Sequence, residues 1–221
     1  MKNPSGWIRI LTMNIERELK PRKKPSQARS EVTIKAIHEA SIQVLLQHGL
    51  AKFTTTRAAE RAGVSVGTLY QYFPNKEALL YSLLLKHFDM LATSFETVSR
   101  TPNLSLETLS SKLSNAYVEV KLADPKQTKA LYLVAGAINQ ARLTKDISLR
   151  LETAVVEAIE SVTDASFEDS HSVSFTLLSA LAGLSRSSFG KLPDDEAPIK
   201  RLPEQARLLV QSYLFASANN K

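Results

Sequence analysis

The sequence predicts an all-α protein in two parts: an N-terminal three-helix helix-turn-helix module and a longer C-terminal helical domain. Three observations carry this. Apolar residues recur at helical spacing through most of the chain. The 221 residues include 7 Gly and 9 Pro, and long stretches lack both, whereas extended sheets need more frequent turns. One stretch, AGVSVGTLYQYFPNKEALL from Ala62 to Leu80, breaks the pattern by packing glycine and proline punctuation between helix formers.

Residues 1–25 read as a flexible basic arm, with Lys20, Arg22, Lys23 and Lys24 around Pro21 and Pro25 and a second methionine at Met13. Ser26 or Ser30 is placed to cap a first helix. Ile34, Ile37, Ser41, Val44 and Leu45 then follow at helical spacing, and Gly49 ends it. Thr54, Thr55 and Thr56 offer a hydroxyl cap to a short second helix through Ala62. Gly63 suits the left-handed position beyond a helix end. Ser65 is a second cap, residues 66–72 a third helix, Pro74 its stop, and Asn75 the cap of a fourth helix running to about Ser94 or beyond.

Beyond Pro102 the helices lengthen. Leu106, Leu109, Leu113, Tyr117 and Val120 form one stripe. Ala130 to Ile138 is apolar nearly all round, which predicts a central buried helix. Leu143, Ile147, Leu151, Val155, Ala158 and Val162 form another stripe. Residues 170–189 are apolar on most faces. A loop carrying Pro193, Pro198 and Pro203 is expected to lead into a last helix with Ala206, Leu209, Val210, Tyr213 and Leu214 inside. The organisation expected is thus arm (1–25), helix-turn-helix domain (26–80) and a longer helical domain (81–221).

Two short helices joined by a glycine corner describe a helix-turn-helix. At about 100° per residue, Val66, Leu69 and Phe73 fall on one side of the third helix, facing the small Ala58, Ala59 and Ala62. Gly67, Thr68, Gln71 and Tyr72 fall opposite, with Tyr70 at the flank. An amide, hydroxyls and a bare backbone position are groups that reach base edges and phosphates in a major groove. Lys76 lies at the start of the fourth helix, where its charge adds to the positive helix end. A plain helical corner with solvent-facing polar residues is the alternative.

The residues Phe53-Thr54-Thr55, Ala58-Ala59, Ala62-Gly63-Val64-Ser65, Gly67-Thr68-Leu69-Tyr70, Tyr72-Phe73 and Lys76-Glu77-Ala78-Leu79, within Ile34 to Leu80, resemble the DNA-binding domain of the TetR/AcrR family of bacterial transcriptional regulators. Ala58 departs from the isoleucine often found there. The resemblance implies a homodimer, a ligand-binding C-terminal domain, and loss of DNA binding when ligand binds. It implies DNA contacts at Thr56 and Arg57, at Gly67, Thr68, Tyr70, Gln71 and Tyr72, and at Lys76.

Composition narrows the alternatives. With no cysteine, disulfides, zinc-thiolate sites and a Cys nucleophile are excluded. The same lack fits a reducing cytoplasm, and a cytoplasmic, nucleoid-associated protein is expected. No apolar run reaches the roughly 20 residues of a membrane span. Residues 1–88 carry 14 Lys and Arg against 6 Asp and Glu, and residues 89–221 carry 14 against 16. That asymmetry suits a basic module meeting a polyanion, with double-stranded operator DNA the expected partner. His38, His48, His87 and His171 show no metal-ligand spacing, and Gly183-Leu184-Ser185-Arg186-Ser187 lacks the strand a nucleophile elbow requires. Neither a metal, a cofactor nor an enzymatic activity is expected.

The reading is a ligand-responsive repressor released from a palindromic operator by a small molecule. A ligand-independent architectural or partner-controlled DNA-binding protein is the alternative. Candidate effector-cavity residues are Phe88, Phe95, Tyr117, Tyr132, Asn139, Gln140 and Phe175. The last two helices are expected to form the homodimer, with Leu181 and Leu209 on the shared surface.

Overall fold

The computed structural model describes residues 28–137, 145–190 and 196–220. Nine helices are found among them. They are α1 (Ala28–His48), α2 (Thr55–Ala62), α3 (Val66–Tyr72), α4 (Lys76–Ser99), α5 (Leu106–Leu122), α6 (Pro125–Ala137), α7 (Lys145–Glu160), α8 (Ser170–Phe189) and α9 (Ala197–Ser217). A two-residue antiparallel pair, β1 (Ala165–Ser166) with β2 (Asn219–Asn220), is an addition that helical periodicity does not anticipate. The basic residues of the arm before Pro25 lie outside the described residues.

Two compact units divide the described chain. The first comprises residues 28–86 with 133–137, and the second residues 87–132 with those from 145 onward. Helix α4 contributes Lys76–Lys86 to the first and His87–Ser99 to the second.

In the first unit the punctuation acts as the sequence suggests. Gly49 takes φ +70° and its N–H reaches Leu45 O at 2.9 Å. Thr54 Oγ1 accepts from Arg57 N at 3.2 Å, opening α2. Gly63 closes α2 at φ +68°, with Gly63 N bonded to Glu60 O and Val64 N to Ala59 O, the paired pattern that satisfies the last carbonyls. Ser65 Oγ accepts from Thr68 N at 3.0 Å to open α3, and Asn75 Oδ1 accepts from Ala78 N at 2.7 Å to open α4. Ile37, Phe53, Ala58, Ala59, Leu69, Phe73 and Leu79 are buried to within 1%. Burying side chains such as Leu69 and Phe73 contributes about 1.5–3 kcal/mol each. Val66 is half-buried.

The second unit packs α9 against α5 and α8, and α7 against α8. Leu109, Leu113, Val155, Ile159, Leu177, Phe189, Leu202, Val210 and Leu214 form its centre. Arg150 of α7 reaches Glu96 at 2.9 Å and also Asp89, tying α7 to α4.

Three expectations are corrected. Pro198 and Pro203 lie in α9 rather than in a loop before it, Pro198 in the first turn. There its missing N–H costs nothing, because first-turn amides have no intrahelical partner. Pro203 sits inside the helix and removes one backbone hydrogen bond. The segment expected to be buried all round, on α6, leaves Leu133 51% exposed. Leu181 is 2% exposed and faces the unit's own core instead of a shared surface.

Candidate functional site

Helix α3 shows how one short segment serves both core and surface. Its caps hold seven residues helical, a length that is marginal alone. Leu69 and Phe73 anchor one face in the core, which turns Gly67 and Gln71 outward; both are exposed. Thr68 and Tyr72 are half-buried. The Thr68 hydroxyl lies 2.8 Å from Ser65 Oγ, so it also supports the cap. Tyr70 is 39% exposed and its hydroxyl is 3.0 Å from Thr55 Oγ1, bracing α3 against α2.

Thr56 and Arg57 of α2 are exposed. Arg57 donates to Lys52 O, which aims its guanidinium back toward the turn before α2. The Lys76 ammonium lies 3.5 Å from Leu50 O and 5.7 Å from the Phe53 ring centre, so the start of α4 is pinned beneath this surface. The module thus presents an unencumbered amide at Gln71 and a backbone at Gly67 without a side chain. It surrounds them with hydroxyls and cations suited to a phosphate backbone.

Behind this surface lies His38, 9% exposed, with Nε2 2.8 Å from Ser82 Oγ. Ser82 Oγ donates to Leu79 O at 2.7 Å, so His38 supplies the proton of its own bond to Ser82. Burial, and secondarily the positive charge of Lys86, lowers His38 to about 4. The imidazole is therefore a neutral strut between α1 and α4.

The second unit holds a different cluster. Lys121 of α5 is 1% exposed. Its Nζ is 3.0 Å from His87 Nε2 and lies 5.5, 5.6 and 5.3 Å from the ring centres of Phe88, Tyr117 and Tyr132. Among the described residues no carboxylate lies within salt-bridge distance of it. Burial lowers the ammonium to about 7, and burial followed by the Lys121 charge lowers His87 to about 3. Thr128 Oγ1 donates to Lys121 O at 2.9 Å, fixing the helix end where the lysine sits. The Tyr117 hydroxyl donates to Leu181 O at 2.6 Å and also meets Ser185 Oγ. Tyr132 stacks on Phe189 at 5.5 Å.

Of the candidate effector residues, the structure brings Phe88, Tyr117 and Tyr132 together around Lys121. Phe95 is 1% exposed in the hydrophobic core, and Phe175 is 68% exposed, outside the cluster. Asn139 and Gln140 lie outside the described residues. Lys121 itself went unremarked in the sequence, although a signal existed. The stripe Leu106, Leu109, Leu113, Tyr117 continues by helical spacing to position 121, where a charge stands on the buried face.

Among the described residues no group of three His, Cys, Asp or Glu could hold a metal, and no helix is long and apolar enough to cross a membrane.

Comparison with known proteins gives matches to both units. The profile of bacterial regulatory proteins, tetR family, matches residues 37–83, and that of tetracyclin repressor-like C-terminal domains matches residues 105–214. The HTH-type transcriptional repressor KstR of Mycolicibacterium smegmatis is 32% identical over 99 residues, 43% of this chain and 48% of that protein. KstR of Rhodococcus jostii is 31% identical over 97 residues, 43% and 46%. The chain thus spans about half the length of these curated relatives. SmeT, the repressor of the Stenotrophomonas maltophilia multidrug efflux pump SmeDEF, superposes with a TM-score of 0.67 at 15% identity, covering 84% of this chain and 90% of that one. The fatty acid degradation regulator FadR of Bacillus halodurans gives 0.58 at 20% identity, covering 85% and 96%. At such identities the likeness to solved structures is one of fold. The cap, corner and anchored α3 of the first unit and the helices that follow it are each matched in their own right, and the chain belongs to the tetR family of bacterial regulatory proteins.

Proposed function

We propose that this chain is a homodimeric transcriptional repressor that binds a near-palindromic DNA operator and leaves it when a small molecule occupies the second unit. The observation that carries this is the division of α3, with Leu69 and Phe73 fully buried and Gln71 and Gly67 exposed on the other side. A rigidly anchored short helix with an exposed amide is suited to the major groove, where Gln pairs with adenine through two hydrogen bonds. The repressor names of the KstR and SmeT relatives support the direction of regulation.

A homodimer supplies two recognition helices, and a twofold pair reads two half-sites about 10 base pairs apart or a multiple of that. Exposed apolar side chains on the last two helices support the dimer: Phe175 on α8 at 68%, and Leu208 and Phe215 on α9 at 42% and 52%. These replace Leu181 as reporters of the surface.

Footprinting on the DNA upstream of the protein's own gene tests the reading. Wild type should protect a near-palindrome, and Gln71→Ala should flatten the preference between that site and base-substituted versions. A footprint unchanged in sequence preference by Gln71→Ala would reject α3 as the reading element.

The alternative is an architectural or partner-controlled DNA-binding protein without a small-molecule effector; the nucleoid occlusion factor SlmA of Haemophilus ducreyi is 26% identical over 104 residues. A metabolite panel added to the same footprint separates the two. Release by any member favours the effector-responsive repressor.

A further inference from the structure

We propose that the effector of the second unit is an apolar monocarboxylate whose carboxylate pairs with the Lys121 ammonium between Phe88, Tyr117 and Tyr132. The inference rests on the reading of this unit as effector-binding and names the chemistry it selects.

The starting point is an amine where an apolar side chain would be cheaper. Lys121 is 1% exposed and sits on the buried face of α5, in line with Leu113 and Tyr117. Removing a charge from water costs several kcal/mol unless a counter-charge and hydrogen bonds replace the solvent. An ammonium has three N–H donors. Among the described residues, the acceptor found for Lys121 is His87 Nε2 at 3.0 Å, and no acidic side chain pairs with it. The three rings stand 5.3–5.6 Å from Nζ, near the roughly 6 Å limit of cation–π attraction. They solvate the charge weakly. The chain thus carries a buried cation whose neutralising partner is not supplied from the described residues, and such groups are candidates for function.

The surroundings select the partner. Among the described residues, the titratable and charged groups facing the cluster are His87 from α4, Tyr117 from α5, Tyr132 from α6 and Arg186 from α8. His87 is neutral, since burial keeps it near 3. Burial raises both tyrosines above their ordinary range, and Arg186 adds positive charge beside Tyr132. No group in this set offers a negative charge near neutral pH, so a cationic ligand has no counter-ion and an anion is favoured. A single amine balances one charge, which suits a carboxylate over a phosphate dianion. Two carboxylate oxygens match the two ammonium N–H groups that His87 leaves over. The aromatic walls suit an apolar body attached to that head group.

Binding then carries a proton signature. The amine is partly neutral above pH 7 when empty and must be protonated to hold a carboxylate, so binding draws a proton from solution.

The test is isothermal calorimetry of the full chain with octanoate and 4-phenylbutyrate, each against its neutral counterpart, 1-octanol and 4-phenylbutanol. The runs use pH 7 and pH 8 in buffers of different ionisation enthalpy. At least one acid should bind about 10- to 100-fold more tightly than its alcohol, the range of a hydrogen bond to a charged group. At pH 8 it should take up about 0.9 proton per ligand, and its affinity should fall by up to about tenfold per pH unit further up, while the alcohols stay flat. Lys121→Met should erase both the preference and the uptake. Circular dichroism confirms that the variant folds, and the wild-type pH profile stands without it.

Acid and alcohol binding alike, an acid that binds without proton uptake, a preference that survives Lys121→Met, or no binding by either acid would each overturn the proposal. Its failure is distinguishable from failure of the repressor reading. Release of DNA by a neutral or cationic metabolite would sink the carboxylate and keep the repressor. Failure to bind DNA would sink the repressor, while calorimetry still decides the carboxylate.

Discussion

Replacing Lys121 by Met should make the unliganded protein more stable, and the size of the gain follows from the site. In the unfolded chain the lysine titrates near 10.4. Burial brings it to about 7 in the folded state. A drop from the ordinary value of 10.5 to about 7 corresponds to about 5 kcal/mol against the charged form, at roughly 1.4 kcal/mol per pH unit. Four opposing contributions reduce this. The ring faces each return about 0.5–1 kcal/mol, and the His87 hydrogen bond about 1 kcal/mol. The net gain at pH 7 is therefore about 1–2.5 kcal/mol, or roughly 2–10 °C in Tm for a chain of this size. The sign with pH is fixed by linkage. Between pH 7 and 10 the unfolded chain holds the proton that the folded chain has released, so wild-type stability rises with pH in that window and falls as pH returns to 7. Lys121→Met removes that slope. Thermal melts at pH 7 and pH 9.5, at one fixed protomer concentration, read both effects. A variant less stable than wild type at pH 7, together with a wild-type Tm that does not climb toward pH 9.5, would refute the account of Lys121 as a buried, uncompensated charge.

Three other outcomes are expected. His38 is lowered to about 4 by burial and by Lys86, so wild-type stability should decline as pH falls from 6.5 toward 4, by about 3 kcal/mol in total, and urea melts of His38→Gln should show a shallower decline over that window. Lys76→Ala should weaken every DNA site alike and lower the salt slope by roughly 1, as titrations at several salt concentrations would show; a selective loss at one sequence would instead make Lys76 a base reader. Phe175→Asp combined with Phe215→Asp should yield monomers by sedimentation, whereas Leu181→Asp should lower the melting temperature of the chain itself, because Leu181 is buried within its own unit.

The local features of this protein were legible in its sequence because each depends on residues a few positions apart. Ser65 caps α3 by accepting from Thr68, three residues on, and Gly63 takes its left-handed φ because glycine has no Cβ to clash. The 3.6-residue repeat placed Leu69 and Phe73 inward and left Gln71 outward for the same reason. The proposed recognition surface, built within one short helix and its corner, is therefore almost wholly a sequence-level property. Pro203 was misread because an interior proline, though it costs one backbone hydrogen bond, is tolerated when tertiary packing holds the rest, and here Leu202, Ala206 and Val210 are all fully buried. The buried amine depended on tertiary structure. His87, Lys121 and Tyr132 come from three helices, and Tyr117 meets Ser185 across 68 residues of chain. Periodicity marks a residue's face but not what the neighbouring helices bring to it. Packing alone decided that position 121 lies under three rings with no acid from the described residues beside it, and with it the charge this unit leaves for a partner to neutralise.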